Sequence, residues 1–428
     1  MKKFLKAALL SVCLLCFAFG AAACADNEGE AKKEGFHYYT TQSGEKVLYE
    51  YVAQKDDDGS DVTEVVIPDN LGISKIQAGA FSGNGTVKKL VVSSTVKEIA
   101  PKAFAGMKAL ESITLPFTGE KAGAVNAAKT FGYAFGTDEY DEGVAVTQSY
   151  GSGTATYYLP KTLKSVTIVG GEDYALPAYA FHSMSNLTSV TLSGDVASIG
   201  DYAFYGCYYL SNFSVPASVE SIGAQAFVNC DRLIGTASVG ADLSVKGNFA
   251  FAENGALRSI GEYAFAGTKL KTVDLSGLTQ LSEIKTGAFA GAIVPDAEVS
   301  DGTVTKFDGK LEEVKLPASL TKIQSRTFYD CDNLTTVIYS DNLTEICGDA
   351  FADCGKLRIV KNVSYTADPA DAKAGVVVLP ASVTKVWAGA FVNIGSDKIT
   401  YTLVNNATAS VLTDGWRNSD GKWSDLQS

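Results

Sequence analysis

Val196-Ala-Ser-Ile-Gly-Asp-Tyr-Ala-Phe-Tyr-Gly-Cys-Tyr-Tyr-Leu210 is followed, 23 residues on, by Val219-Glu-Ser-Ile-Gly-Ala-Gln-Ala-Phe-Val-Asn-Cys-Asp-Arg-Leu233. Val, Ile, Gly, Ala, Phe, Cys and Leu fall in the same slots of both stretches. The Ala-Phe pair carries the repetition through most of the chain. It stands at Ala80-Phe81, Ala103-Phe104, Ala180-Phe181, Ala203-Phe204, Ala226-Phe227, Ala250-Phe251, Ala264-Phe265, Ala288-Phe289, Ala350-Phe351 and Ala390-Phe391, with Thr327-Phe328 filling the slot once. A fixed period of this length marks stacked turns of a solenoid rather than a closed globular fold.

The apolar slots sustain neither a helical period nor a strand period, so they are read as inward corners of a coil. One short stretch per unit does alternate: Leu187-Thr-Ser-Val-Thr-Leu192, Leu270-Lys-Thr-Val-Asp-Leu275, Leu311-Glu-Glu-Val-Lys-Leu316 and Leu334-Thr-Thr-Val-Ile-Tyr339. Alternation points Val190 and Leu192 inward and Ser189 and Thr191 outward. Proline closes the stretch at Pro116, Pro160, Pro216, Pro317 and Pro380, where ladder pairing must stop. Ala before Phe implies close approach of neighbouring backbones, and each Phe is expected to stack on the Phe of adjacent turns. Gly200, Gly223 and Gly261 follow the Ile, but Gln77, Ala100, Lys285, Gln324 and Trp387 take the same slot, so that turn demands no positive φ.

The composite Leu-Pro-x-Ser-Val-x-x-Ile-Gly-x-x-Ala-Phe-x-x-Cys-x-x-Leu-x-x-Val resembles the repeat of the BspA-like leucine-rich-repeat surface proteins, over residues 67–397. The resemblance implies a β-rich, right-handed solenoid with one parallel strand per turn of ~23 residues, curved so that the strands line its concave face. It also implies adhesion and host-protein binding at a cell surface. The outward strand positions then form a candidate binding ladder: Lys89, Ser112, Thr114, Ser165, Thr167, Ser189, Thr191, Asn212, Ser214, Thr272, Asp274, Glu313, Lys315 and Thr336. Rows of Ser and Thr are equally what a solvated sheet face carries.

The count lapses between Leu115-Pro116 and Leu159-Pro160. Residues 117–158 include Tyr133-Ala-Phe135, an acidic stretch at 138–142, and a hairpin pattern from Thr147 to Tyr158 around Gly151-Ser-Gly153. This insertion reads either as a solvated excursion or as a specificity loop, with Tyr140, Tyr150, Tyr157 and Tyr158 as contact rings. Smaller insertions lie at 292–310 and 361–375. Residues 37–66 read as an N-terminal β cap and 398–428 as a C-terminal one, with Trp416 and Trp423 as cap packing or a sugar-stacking platform.

Lys2, Lys3 and Lys6 precede an apolar run from Ala7 to Gly20, the pattern of a secretory signal over residues 1–23. Ala21, Ala22 and Ala23 before Cys24 make Cys24 a candidate lipidated residue, although lipoboxes usually carry Leu where Ala21 stands. An ordinary cleaved signal is the alternative. Residues 24–36 read as a flexible tether. Removing residues 1–23 takes away three lysines and no acids, so the net charge moves from −12 to −15. Such a body is a poor fit to nucleic acid, and membrane contact is expected only through the lipid. The expected location is the exterior of a bacterial membrane, as a monomer.

Cys207, Cys230, Cys331 and Cys354 stand three residues after a repeat Phe, a slot elsewhere filled by Asn, Met, Thr, Ala or Ile; with Cys347 they make an odd five. They read as buried packing thiols. Asp56-Asp-Asp-Gly-Ser-Asp61 lacks the glycine and glutamate positions of a calcium loop. His37 and His182 are the two histidines, and no nucleophile with a base, phosphate loop or metal motif accompanies them. The reading is a non-catalytic module without cofactor or metal. Its expected ligand is an extracellular or host protein, with a glycan-capturing lipoprotein or a structural envelope component as alternatives. Aromatic residues fall mainly in the core, caps and insertion, which favours protein over glycan.

Overall fold

The computed structural model describes residues 32–33, 35–253, 255–293, 305–369, 374–387, 389–395 and 400–405. Cys24, Trp416 and Trp423 lie outside them. Each turn is built around its Ala-Phe corner. The Phe N–H of one turn donates to the Ala carbonyl of the next: Phe81 to Ala103 (2.9 Å), Phe181 to Ala203, Phe204 to Ala226, Phe227 to Ala264 and Phe351 to Ala390 (each 2.8 Å). Backbones bonded at this distance leave room for a methyl group and little more, which accounts for the Ala. The rings stack behind the bonds, for example Phe181–Phe204 at 5.4 Å, Phe204–Phe227 at 5.1 Å and Phe265–Phe289 at 5.2 Å between centroids. Tyr51 extends the column at the N-terminal end, its ring 5.3 Å from Phe81 and its N–H on the Ala80 carbonyl.

Two left-handed residues frame most corners. Lys102, Tyr202, Gln225 and Arg326, each directly before the Ala or Thr, have φ between 53° and 63°. Ser183, Asn229, Asp330 and Asp353, two after the Phe, have φ between 56° and 61°. The repeated cost of these conformations is offset by the shared corner bonds. Gly200, Gly223 and Gly261 are not among the positive-φ residues, yet a Cβ at Gly223 would lie 2.5 Å from the Asp201 nitrogen and one at Gly261 2.5 Å from the Gly223 carbonyl carbon. Space, not φ, requires glycine there.

Alternating residues form a long parallel front sheet. Its first run contains Glu64–Val66, Lys89–Val91, Ser112–Leu115, Ser165–Ile168 and Ser189–Leu192. A bridge from Ser189 to Asn212 joins a second run of nine strands beginning at Phe213–Val215 and ending at Thr400–Asn405. The Val-x-x-Ile slots add something the sequence pattern does not display, a second strand in most turns. These short strands form a parallel back sheet, with Val196–Ile199, Ser221–Ile222, Ser259–Ile260 and Glu283–Ile284 in register. No α-helix occurs among the described residues, and one continuous apolar core runs from Phe36 to Ile394.

Two sequence expectations are corrected. Ala250-Phe251 is not a corner: Phe249–Phe251 is a front-sheet strand inserted between Phe213–Val215 and Thr236–Val239. Phe251 touches the Phe249 ring, outside the corner column. That turn therefore supplies two front strands, and Ile359–Asn362 with Ala374–Leu379 does the same in a later one. Second, residues 117–158 are not a solvated excursion. Phe117, Phe131, Phe135 and Tyr157 are buried, and Phe131 and Phe135 carry the ring column from Phe104 to Phe181. Phe104 N–H reaches Ala134 and Phe131 N–H reaches Ala180. The back sheet breaks here, between Glu98–Ile99 and Tyr174–Leu176, whereas the front sheet passes straight from Ser112–Leu115 to Ser165–Ile168.

Candidate binding face

Strand register decides what the front sheet offers. One outward row runs Glu64, Lys89, Ser112, Ser165, Ser189 and Asn212; a second runs Val66, Val91, Thr114, Thr167 and Thr191. Farther along, Thr236, Thr272, Glu313 and Thr336 are in register, as are Ser214, Ala250, Ser238, Asp274 and Lys315. Thr236 and Ser238 join the ladder read from sequence, while Ala250 holds its register but is buried.

The charged members satisfy one another. Lys89 pairs with Glu64 at 3.2 Å, and Lys315 reaches Asp274 at 3.4 Å and Glu313 at 3.5 Å. Burial raises the Asp274 carboxyl, but hydrogen bonds from Ser276 and the Lys315 ammonium outweigh it and hold the group below its ordinary value. These pairs are exposed enough to contribute little stability. Ser112, Thr114, Ser165, Thr167, Ser189 and Thr191 instead lie in an uncharged block, and their hydroxyls make no hydrogen bond among the described residues. Ser214, Thr236, Ser238 and Thr272 likewise make no side-chain hydrogen bond among the described residues, but they alternate with the charged pairs, whereas the six N-terminal hydroxyls form an uninterrupted neutral block.

Asn212 does not share that freedom. Its amide donates to the Leu243 carbonyl at 2.5 Å and accepts the Gly247 N–H at 2.7 Å. The chain between Thr236–Val239 and Phe249–Phe251 must return from one end of the sheet to the other, and the inner face is filled by Phe213, Phe249 and Phe227. Asn212 therefore pins the return segment over the outer face. Leu243 and Val245 are exposed on it, beside exposed Ile234. This ridge bounds the hydroxyl block.

The insertion tyrosines are not open contact rings. Tyr157 is buried, its hydroxyl bonded to Thr130 and to the Ala127 carbonyl. Tyr140, Tyr150 and Tyr158 are half-buried, and burial raises the Tyr140 hydroxyl well above its ordinary value. Aromatic surface missed by the sequence reading lies at the corners, where Tyr208 and Tyr209 are exposed and Tyr179–Tyr202 and His182–Tyr205 stack at 4.8 and 5.2 Å. The five cysteines are free and buried. Cys207, Cys230, Cys331 and Cys354 donate to the carbonyls of Phe181, Phe204, Phe289 and Phe328 at 3.0–3.3 Å. Burial raises the Cys207, Cys230 and Cys354 thiols, which keeps them protonated and inert.

The model of the BspA type leucine rich repeat region matches residues 58–125, 174–292, 254–358 and 305–402, six copies in all. The chain belongs to this family. The BspA-type match leaves 126–173 uncovered, inside the turn that breaks the repeat interval. Among solved structures, the chain is similar to a leucine-rich repeat protein from Bacteroides ovatus at 18% identity, covering 88% of this chain and 100% of that one with a TM-score of 0.39. It is similar to a leucine rich cell surface protein from Faecalibacterium prausnitzii at 15% identity (91% and 96% covered, TM-score 0.31) and to the pneumococcal vaccine antigen PcpA at 17% (88% and 81%, 0.35). A comparison with curated proteins found no match. BspA-type repeats are generally non-catalytic binding modules. No helix among the described residues is long and apolar enough to cross a membrane.

Proposed function

We propose that this chain is an exported surface protein, anchored through lipid on Cys24, whose front sheet binds a partner protein. The observation that carries the reading is the block of six unbonded hydroxyls, flanked by self-paired charges and by the return segment at 240–248, which exposes Leu243 and Val245 between Asp242 and Lys246. Interfaces gain from groups that exchange solvent for a partner, and paired charges at a rim add little. The partner is therefore recognised by neutral hydrogen bonding and apolar contact. Binding should be nearly independent of ionic strength between low and physiological salt.

The mature domain, used to capture proteins from extracellular fluid, tests this at two salt concentrations. Replacing Thr114, Thr167 and Thr191 together by Lys should reduce capture at least tenfold; unchanged capture would exclude this face. The same hydroxyl block suits an uncharged glycan, and competition by neutral polysaccharide at equal strength would favour that second reading. Loss of fatty-acid incorporation in Cys24→Ala tests the anchor.

A further inference from the structure

The two histidines are held in opposite ways. His37 Nδ1 lies 2.9 Å from the Glu50 carboxylate. His182 Nδ1 instead faces the Ser149 N–H at 3.4 Å and the Ser183 hydroxyl at 2.9 Å. Ser149 belongs to the insertion hairpin, Gly143–Ser149 paired with Thr154–Pro160. An amide N–H can only donate, so the Ser149 contact requires a lone pair on Nδ1 and a neutral ring, whereas the Ser183 hydroxyl can pair with either form. Protonation would set the Nδ1–H against the Ser149 N–H and break the one contact that ties the ring to the hairpin.

Little nearby compensates a positive charge there. The imidazole is stacked on Tyr205 at 5.2 Å and lies 5.7 Å from Tyr179. The Lys129 ammonium sits 5.1 Å over the far side of this cluster, on Tyr179, and adds a cation of the same sign. Asp201 acts on the Tyr179 and Tyr202 hydroxyls. Burial pushes the His182 imidazole below its ordinary value, and no carboxylate opposes it. The other anchor is the fully buried Gln148, whose amide donates to the Ala180 and His182 carbonyls at 3.2 Å and accepts the Gly132 N–H at 2.7 Å. Val146 and Tyr157 bury the base of the hairpin. Its outer end, around Gly151-Ser152-Gly153, rests only on the edge of the Tyr179 ring, where a Cβ on Gly151 would lie 3.3 Å from Cε2.

We propose that the hairpin tip, residues 149–154, is an acid-released flap latched onto the solenoid corner by neutral His182, hinged at the Gln148 anchor. The sign follows from linkage. With the latched-state pKa depressed, the latch is at full strength above the ordinary value of 6.5 and weakens as pH falls below it, because only the open form takes up the proton readily. At pH 5.5 the open population should rise by up to about tenfold over neutral pH, the ratio that one pH unit below 6.5 allows. Opening uncovers the Tyr179–His182 edge, a surface enriched in acid.

Hydrogen exchange of the full mature chain at pH 7.5 and 5.5, corrected for intrinsic rates, tests the flap. Exchange at 149–154 should accelerate severalfold to tenfold in acid, while the hairpin formed by Phe36–Thr40 and Lys46–Tyr51 should not. His182→Asn keeps an acceptor near the Nδ1 position and does not titrate, so its acid response should vanish. An equal acid response in His182→Asn, or none in the wild type, would overturn the proposal. A direct NMR titration needs no variant: a His182 pKa at or above 6.5 in the folded protein would also overturn it.

Discussion

At the scale of single residues, the same slot can be occupied for different reasons in different turns. Gly223 has ordinary φ but no space, since an added Cβ would meet the Asp201 nitrogen and Oδ1 at 2.5 and 2.6 Å. Both belong to the preceding turn's backbone or to a carboxylate bonded to the Ala224 N–H at 2.7 Å. We expect Gly223→Ala to cost about 1–3 kcal/mol, the range of forced overpacking, measured by urea unfolding; an effect below a few tenths would show that the turns slide apart freely. Some of this scale was legible in sequence. The Ala-Phe pair announced close backbones and stacked rings because both demands restrict residue type. The left-handed residues were not legible, because Lys102, Tyr202, Gln225 and Arg326 carry no glycine signature. Their conformations are imposed by corner bonds from the neighbouring turn. The tyrosines of the insertion failed for a related reason, since composition does not tell Tyr157 under the hairpin from Tyr209 in solvent.

Among the elements, the front sheet tolerates additions that the back sheet does not. Period-two alternation placed the ladder residues on one face correctly, because a parallel sheet with one buried face fixes register. It could not place Phe249–Phe251, whose Ala-Phe pair copies the corner motif; the warning was a spacing of only 14 residues from Phe251 to Phe265. Thr236 and Ser238 were missed because their strand lacks the Leu-x-x-Val frame. Asn212 shows how an inserted element converts a surface residue into a structural one. Asn212→Ala should remove both bonds to the return segment and raise hydrogen exchange at 240–247 by about an order of magnitude, while the flanking strands stay protected. Unchanged exchange there would mean that Asn248, which donates to the Asp242 carbonyl at 2.8 Å, and the Gly247 backbone bonds to Ser211, Ile234 and Gly235 hold the ridge without Asn212.

For the whole molecule, contacts between a turn and its immediate neighbours dominate, as the sequential ring column indicates. Phe204 packs between Phe181 and Phe227 and against Phe213 edge-on at 4.9 Å. Phe204→Ala should cost about 3–5 kcal/mol, and hydrogen exchange should rise in the turns around 181–227 well before the turns near Phe81 or Phe351. Uniform loss of protection would indicate one all-or-none unit instead.

The corner bonds have a direction as well as a distance. From Tyr51 to Phe351 the amide of the earlier turn points to the carbonyl of the later one. Their peptide dipoles therefore add along the stack, with the N–H ends facing the C-terminal turns. An α-helix aims its N–H groups at its own N-terminus and is positive there; this column is electrically reversed, with its positive pole at the C-terminal end. An acidic group is accordingly favoured beside the last corners and a basic one beside the first, so the two ends of the stack are not interchangeable even to a ligand that senses only charge.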